Sequence, residues 1–172
     1  MSTKNSSSHD SEIIPDAADF KFGIVVSEWN HEITNELFKG CKETLLKHSA
    51  KDENIFILHV PGSFELPQAG QTLIETKNVH ALIALGCIIK GETRHDEFIA
   101  QAVANGLMNL NLKFGTPCIF GVLTTENLAQ ANERAGGKAG NKGIEAANTA
   151  IKMVSIIKSF TYKEPAGFRK QQ

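Results

Sequence analysis

Four short apolar runs recur along the chain, and β-branched residues are common in them. The runs span Phe22–Ser27, Ile55–Val60, Val79–Ile89 and Cys118–Leu123. Apolar and polar positions do not alternate cleanly within them, which is typical of strands that are buried on both faces of a parallel sheet. The pattern therefore predicts a central sheet of four parallel strands.

Segments with helical periodicity lie between these runs and after the last one. Ile33 and Leu37 belong to a first apolar stripe, a longer stripe extends over 98–110, and a last one extends over 144–154. Such spacing places apolar side chains on one face of a helix. The alternation of strands and helices predicts an α/β fold, a three-layer α/β/α sandwich with a central four-stranded parallel sheet, flavodoxin-like strand order and right-handed crossovers.

The length of 172 residues suits one domain with a short tail. Residues 1–19 are polar and contain several serines, which predicts a flexible N-terminal arm, and residues 20–172 are predicted to form a single domain. The apolar segment Ile13-Ile14-Pro15 belongs either to a frayed tail or to a strap that packs on a neighbouring subunit. The arm lacks the apolar stretch of a secretory signal.

Charge and cysteine content exclude several functional classes. The chain has 18 Lys and Arg residues against 19 Asp and Glu residues, so it has no basic field to attract nucleic acid or an anionic membrane. No apolar run is long enough to span a bilayer. Cys41, Cys87 and Cys118 show no C-x-x-C spacing, which argues against a disulfide framework and against zinc. We therefore expect buried thiols, a cytoplasmic protein and no metal site.

Polar and titratable residues follow each of the four predicted strands. They occupy 27–31, 61–65, 90–97 and 124–127. In open parallel sheets, ligands bind beyond the carboxyl ends of the strands. Because parallel strands end at the same edge, these turns predict a binding site there.

The turn after the third predicted strand, Gly91-Glu92-Thr93, leads into a helix. Free backbone N–H groups at a helix N-terminus favour an anion, and Lys90 and Arg94 flank the turn. The segment 86–93 is similar to a nucleotide P-loop, but Glu92 stands where the lysine of that loop must reach the phosphates. This excludes ATP and GTP, and it leaves either a smaller phosphate or an ordinary helix N-terminus with solvated charges.

Three side chains near these turns suit particular chemistry. His95 carries an imidazole, which suits general acid or base catalysis; alternatively it is a surface or capping residue. The ring of Trp29 either stacks on a planar heterocycle or is partly buried against the adjoining helix. Glu65 either accepts hydrogen bonds from a polyol or interacts with the dipole of a helix.

A Gly-rich and basic segment covers 134–143. Its glycines lack the G-x-G-x-x-G spacing of a dinucleotide-binding loop. The segment predicts either a connection between two helices, with cations available for an anion, or a flexible solvated loop.

Taken together, these motifs resemble the 6,7-dimethyl-8-ribityllumazine synthase family of riboflavin biosynthesis. The matching segments are FGIVVSEWN, VPGSFELP, ALGCIIKGETRHDEF, PCIFGVLTTEN and ERAGGKAGNKG, within about Phe22 to Ile156. The resemblance implies condensation of 5-amino-6-(D-ribitylamino)uracil with 3,4-dihydroxy-2-butanone 4-phosphate to 6,7-dimethyl-8-ribityllumazine, phosphate and water, without a cofactor or metal. The alternative is a non-catalytic shell or carrier protein that binds flavin or lumazine on the same scaffold.

The resemblance implies roles for residues near the first two predicted strands and for one histidine. Trp29 takes the position of an aromatic ring that stacks on the pyrimidine. Asn30, Ser63 and Glu65 match contacts to the ribityl chain. His95 matches a proton shuttle and is the expected catalytic residue.

The third predicted strand and its turn carry further implied contacts. Cys87, Ile88 and Ile89 match a strand end whose backbone meets the heterocycle. Glu92 and Thr93 match a phosphate-binding turn.

The remaining implied contacts lie later in the chain. Phe120 matches a backbone contact to the uracil, Arg134 matches a phosphate clamp, and Lys142 matches a lysine near a uracil oxygen. Arg94 and Asp96 depart from the family pattern, in which the first position is usually small or neutral and the second aromatic. These departures alter the charge beside the turn.

Members of the family assemble as pentamers or as icosahedral shells of pentamers, with active sites between neighbouring subunits. The resemblance therefore implies a homo-oligomer in which the adjacent subunit supplies Phe120, Arg134 and Lys142. The connection at 140–143 lacks the insertion of purely pentameric fungal relatives, which favours a shell. The expected partners are the two small-molecule substrates and further copies of the chain.

Overall fold

The structure is a computed structural model and describes residues 13–161. Strands and helices alternate along this part of the chain, as the hydrophobic pattern predicted. The strands are β1 (Phe22–Ser27), β2 (Ile55–Val60), β3 (Ala81–Ile89), β4 (Cys118–Thr125), β5 (Ala135–Gly137) and β6 (Gly140–Asn141). The α-helices are α1 (His31–Lys47), α2 (Leu66–Lys77), α3 (His95–Phe114), α4 (Leu128–Arg134) and α5 (Lys142–Thr161). Short 3-10 turns at Asp52–Asn54 and Ser63–Glu65 precede β2 and α2.

The first four strands form one parallel sheet with the order β2-β1-β3-β4. Phe22 of β1 pairs with Ile55 of β2 and with Ala81 of β3, and Ala84 of β3 pairs with Phe120 of β4. The central strand β1 is buried along its whole length, because helices cover both faces of the sheet. The predicted parallel sheet with flavodoxin-like order is confirmed.

Two layers of helices cover the sheet. On the face of α1 and α5, Ile24, Leu37 and Ile151 are wholly buried in one apolar cluster. On the face of α2 and α3, Val25 and Leu107 belong to a second cluster. Successive residues of a strand point to opposite faces, so the single apolar run of β1 supplies both clusters, and the predicted α/β/α sandwich is confirmed. None of the described helices is long and apolar enough to cross a membrane.

The Gly-rich segment after α4 folds into a small antiparallel hairpin of β5 and β6, where the sequence predicted only a connection or a flexible loop. Gly136 and Gly140 have φ angles of 126° and 78°, which glycine adopts without a steric penalty. Nδ2 of Asn141 donates to a backbone carbonyl oxygen of α1 at 2.8 Å. A Cβ atom at Gly143 would overlap the carbonyl oxygen of Leu37, so this glycine allows α5 to begin directly against α1.

The predicted N-terminal arm is only partly described, because residues 1–12 lie outside the described part of the chain. Ile13 is 94% exposed, whereas Ile14 packs against the core cluster that contains Ala17. Ala17 is wholly buried, and its backbone N–H donates to the carbonyl oxygen of His48 at 2.8 Å. Contact with the core therefore begins before residue 20, the predicted start of the domain.

Candidate functional site

Hydrogen bonds join the ends of β1, β2 and β3 at the carboxyl edge of the sheet. Nδ2 of Asn30 donates to the carbonyl oxygen of Cys87 at 2.9 Å. The backbone N–H of Trp29 donates to the carbonyl oxygen of Pro61 at 3.1 Å. Asn30 has a φ angle of 58°, a left-handed conformation that asparagine tolerates better than most residues. The structure therefore brings together turns that the sequence predicted to meet at one edge.

Ten of the residues assigned from the sequence lie at this edge, and we call them the strand-end cluster. They are Trp29, Asn30, Ser63, Glu65, Cys87, Ile88, Ile89, Glu92, Thr93 and His95. They lie in the β1–α1 turn, the 3-10 turn before α2, the end of β3, the β3–α3 turn and the first residue of α3. Because β1, β2 and β3 lead into these segments, the core of the sheet determines where the cluster lies.

The strand-end cluster presents aromatic surface to solvent. Trp29 is 72% exposed, so most of its surface is open to solvent and available for stacking. Phe64, in the turn after β2, is 61% exposed and was not singled out from the sequence. Large aromatic rings exposed beside polar groups are typical of a binding surface.

The turn between β2 and α2 places two polar residues at the same edge. Ser63 is only 7% exposed, and a Cβ atom at Gly86 would lie 2.7 Å from its Oγ. A larger residue at Gly86 would therefore displace Ser63. Glu65 is half-buried, and its side chain makes no capping hydrogen bond to α2, which leaves the carboxylate available to accept hydrogen bonds.

The turn between β3 and α3 is open to solvent. Glu92, Thr93 and His95 are exposed, and α3 begins at His95. The backbone N–H of Lys90 donates to the carbonyl oxygen of Thr125 at 2.8 Å and fixes the start of the turn to β4. Unsatisfied N–H groups at the start of a helix favour an anion at this position.

The two cations that flank this turn have carboxylate partners. Arg94 pairs with Glu97 at 2.9 Å, and its guanidinium lies 5.7 Å from the ring centre of Phe98. Nζ of Lys90 lies 2.8 Å from Oε2 of Glu126, and the hydrogen bond and charge of Glu126 raise the pKa of Lys90. Arg94 therefore extends along α3, whereas Lys90 links the ends of β3 and β4.

A second group of residues assigned from the sequence lies along β4, an edge strand of the sheet. A groove with a volume of about 520 Å³ runs there. Its walls are residues 118–124, Arg134, Lys142, Glu145, Ala146 and Thr149. We call this region the β4 groove. Phe120 lies in it and is 43% exposed.

Arg134 and Lys142 are held at the groove by contacts within their own helices. A terminal guanidinium nitrogen of Arg134, NH1, donates to the carbonyl oxygen of Gln130 at 2.9 Å. Nζ of Lys142 pairs with Oε2 of Glu145 at 2.6 Å. A guanidinium carries five N–H donors, so Arg134 retains donors for an anion, and its forked geometry suits phosphate.

The strand-end cluster and the β4 groove adjoin at the paired ends of β3 and β4, but different residues line them in one chain. The lining of the groove includes none of the ten residues of the strand-end cluster. Phe120 pairs with Ala84, which precedes Cys87 by three residues, about 10 Å along the strand. The residues assigned from the sequence therefore form two groups rather than one cavity on the described part of the chain.

The thiols are not activated as nucleophiles. Cys41, Cys87 and Cys118 are free, as predicted, and Cys118 is only partly buried. Burial raises the pKa of Cys87 to about 11 and that of Cys118 to about 12, so both thiols stay protonated at neutral pH. Among residues 13–161, no group of three or more His, Cys, Asp or Glu side chains is arranged to hold a metal ion.

Three polar residues that the sequence did not single out contact cations near the candidate site. They are Glu126, Gln130 and Glu145. The spacing of Lys142 and Glu145, three residues apart on one helix, could have indicated their pairing. The spacing Asn127-x-x-Gln130 is close to that of a helix capping box and could have indicated Gln130.

Comparisons with known proteins show the family. Residues 19–158 match the family model described as 6,7-dimethyl-8-ribityllumazine synthase. The protein with this name from Porphyromonas gingivalis is 51% identical to this chain, over 88% of this chain and 94% of the relative. The one from Cytophaga hutchinsonii is 55% identical, over 88% of this chain and 95% of the relative. The protein of that name in Flavobacterium johnsoniae is 45% identical over 94% of this chain and 85% of the relative. Since the family model and these relatives cover most of its length, the chain belongs to the 6,7-dimethyl-8-ribityllumazine synthase family.

Proposed function

We propose that this chain condenses 5-amino-6-(D-ribitylamino)uracil with 3,4-dihydroxy-2-butanone 4-phosphate at active sites that lie between neighbouring copies. The products are 6,7-dimethyl-8-ribityllumazine, phosphate and water, and the reaction is the penultimate step of riboflavin biosynthesis. Membership of the synthase family supports this activity. No observation on the described residues favours the alternative of a non-catalytic lumazine-binding shell protein.

The separation of the strand-end cluster from the β4 groove supports a site between two copies. Within one chain, the exposed Trp29 is not among the residues that line the groove with Arg134. A second copy whose β4 groove faces the strand-end cluster completes the set of binding groups. Closed homo-oligomers form such heterologous contacts around a ring.

In this arrangement the strand-end cluster binds the ribitylaminouracil. Trp29 stacks on the pyrimidine, and Asn30, Ser63 and Glu65 bind the hydroxyl groups of the ribityl chain. The backbone at the end of β3, at Cys87, Ile88 and Ile89, meets the heterocycle. The exposure of Trp29 and the buried position of Ser63 support these roles.

The phosphate of the second substrate binds where the two surfaces meet. Glu92 and Thr93 form its turn at the start of α3, where free N–H groups favour an anion. Arg134 of the neighbouring copy clamps the phosphate. Phe120 and Lys142 of that copy contact the uracil. The presence of Phe120, Arg134 and Lys142 in one groove supports this division of roles.

The reaction needs orientation and proton transfer. The primary amine of the uracil attacks the ketone of the butanone phosphate, and loss of water gives an imine. Elimination of phosphate gives an enol that tautomerises, and the ribitylamino nitrogen closes the ring with loss of a second water. We assign the proton transfers to His95, which is exposed at the phosphate-binding turn, and most of the acceleration to the fixed orientation of the two substrates.

We further propose that the copies form pentameric rings that assemble into an icosahedral shell. Met108 and Leu112 of α3 are 55% and 78% exposed, and such apolar residues favour packing between copies. The short connection between β5 and α5 favours the shell. Analytical ultracentrifugation at physiological pH and phosphate should show the shell, and pentamers alone would contradict it. The free thiols are compatible with a cytoplasmic location.

A mixture of two variants tests the shared active site. His95→Ala alters the strand-end cluster and Arg134→Ala alters the β4 groove. If one chain supplies His95 and its neighbour supplies Arg134, random mixed oligomers contain about a quarter unaltered sites. At a butanone phosphate concentration well below its KM, where both single variants are slow, mixed oligomers should therefore reach about a quarter of the wild-type rate, which is followed by lumazine absorbance and fluorescence.

The same mixture shows what would contradict the proposal. Activity equal to the average of the two parent oligomers would place His95 and Arg134 in one chain's site. Wild-type oligomers that give no more lumazine than the two substrates alone would contradict catalysis and favour a binding protein.

A further inference from the structure

Helix α4, which carries the proposed phosphate-binding residue Arg134, is short. It has seven residues, and Arg134 is the last of them. Isolated helices of this length are marginal in water, because the cost of nucleation is spread over few hydrogen bonds. The position of the guanidinium therefore depends on what fixes the first turn of the helix.

Gln130 makes three hydrogen bonds that connect the start of α4 to Arg134. Its backbone N–H donates to Oδ1 of Asn127, the N-cap residue, at 3.0 Å. Its side-chain Oε1 accepts from the backbone N–H of Glu126 at 3.1 Å. Its carbonyl oxygen accepts from NH1 of Arg134 at 2.9 Å. One residue thus closes the first turn and holds the guanidinium.

Glu126 extends this connection to the phosphate-binding turn. Its Oε2 lies 2.8 Å from Nζ of Lys90, and the next residue before it, Thr125, accepts a hydrogen bond from the backbone of Lys90 at 2.8 Å. A continuous series of contacts therefore runs from the end of β3 through Glu126 and Gln130 to Arg134.

We propose that Gln130 and Glu126 are positioning residues for Arg134, which set where its guanidinium meets the phosphorylated substrate. The proposal rests on the proposed function, because it requires Arg134 to bind that phosphate. Neither side chain needs to touch substrate. Lys90 lies in the phosphate-binding turn of the same chain. The contacts from Lys90 through Glu126 and Gln130 to Arg134 therefore fix the β4 groove relative to the strand-end cluster of that chain. Since each chain contributes to two neighbouring sites in a ring, the same contacts align those sites.

The variant Gln130→Met tests the role of the side chain. Methionine has a similar length and a good helix propensity but offers no strong acceptor to the Glu126 N–H. A helix-capping contact stabilises a helix by an amount that, if it is transferred in full to the position of the guanidinium, corresponds to at most about fivefold in phosphate binding. We expect a rise of up to about fivefold in the KM for the butanone phosphate and in the Kd for inorganic phosphate by calorimetric titration. The KM for the ribitylaminouracil should stay unchanged.

Two further variants separate positioning from a general structural role. Gln130→Glu keeps an acceptor oxygen for the Glu126 N–H and, at an ionic strength that screens its added negative charge near Arg134, should restore part of the phosphate affinity. Gln71→Met is the matched control, because the side-chain amide of Gln71 donates to Glu75 on the surface of α2, at 2.9 Å, away from the β4 groove. It should leave both KM values unchanged. Sedimentation and thermal unfolding verify that each variant assembles.

A double-variant cycle decides whether Gln130 acts through Arg134. Gln130→Met should weaken phosphate binding in the wild-type background and have no further effect in Arg134→Ala. An equal effect in both backgrounds would overturn the inference.

If Gln130→Met does not assemble, Glu126→Gln takes its place, and we expect it to weaken phosphate binding about twofold. Unchanged phosphate binding in Glu126→Gln would also overturn the inference. An Arg134→Ala variant with normal phosphate binding would instead contradict the proposed function.

Discussion

The strand-end cluster and the β4 groove are fixed by different kinds of contact. In the strand-end cluster, Asn30 bonds to Cys87 across 57 positions of sequence at 2.9 Å, and Ser63 packs over Gly86 of a buried strand. In the β4 groove, Arg134 bonds to a residue four positions away and Lys142 to one three positions away. The side chains of the first region are held by contacts across the sheet, whereas the two cations of the second are held by contacts within their own helices.

The difference explains how the two regions divide the proposed task. A flat heterocycle with a polyol chain requires a surface of fixed shape, which the ends of core strands provide. A phosphate requires charge that a second copy can present, which an exposed edge provides. Changes at core-bonded residues of the strand-end cluster, such as Asn30 and Ser63, should therefore affect folding as well as catalysis, whereas changes in the β4 groove should affect substrate binding with little effect on folding.

The largest expected effect in the strand-end cluster is on turnover. His95→Ala should lower the single-turnover rate about 10²-fold, because a positioned general acid or base contributes on this scale. Its exposure at the start of α3 predicts little change in folding. His48→Ala at the end of α1 is the control. A similar loss in both variants would show that the assay reports folding rather than proton transfer.

The largest expected effect in the β4 groove is on one substrate. Arg134→Ala should raise the KM for the butanone phosphate about tenfold or more, because a charge-assisted hydrogen bond contributes about 1.5–3 kcal/mol. Arg94→Ala is the comparison, since that guanidinium pairs with Glu97, and it should change this KM less than about twofold. The reverse order of effects would assign the phosphate to Arg94.

The free energy of unfolding provides a second test of the comparison. Asn30→Ala should lower the free energy of unfolding by about 2 kcal/mol, because it removes the hydrogen bond to Cys87 and places alanine at a φ angle of 58°. Chemical denaturation measures the change. Asn30→Gly tolerates this φ angle and should lose less. Equal losses would show that the backbone conformation contributes nothing.

The smallest expected effect is on the stability of the β4 groove. Lys142→Met should change the free energy of unfolding by less than about 0.5 kcal/mol, because the Lys142–Glu145 pair is exposed and local. The same variant should raise the KM for the ribitylaminouracil. A loss of stability as large as that of Asn30→Ala would contradict the division between a core-held and a locally held region.

Several features could be predicted because they depend on local sequence. The apolar runs Phe22–Ser27 and Ile55–Val60 match β1 and β2 to the residue. The central strand β1 is buried on both faces, whereas the edge strand β2 is only partly buried but keeps an apolar run bounded by polar turns. The predicted run at Val79–Ile89 begins two residues before β3, because apolar residues also occur in the turn that precedes it. The hairpin of β5 and β6 gave no such signal, since two strands of two or three residues are too short to show a period.

The sequence by itself determined the sheet order, the family and the residue types of the candidate site. Local apolar runs indicate the strands, and the motifs that resemble the family occur in the same order along the chain. Only the tertiary structure decided that Trp29 is exposed, that Gln130 supports Arg134, and that the assigned residues lie on two surfaces. The reason is geometric. A parallel sheet gathers the ends of its strands, but the spacing of residues along the chain does not reveal which side chains are exposed or which of them line one groove.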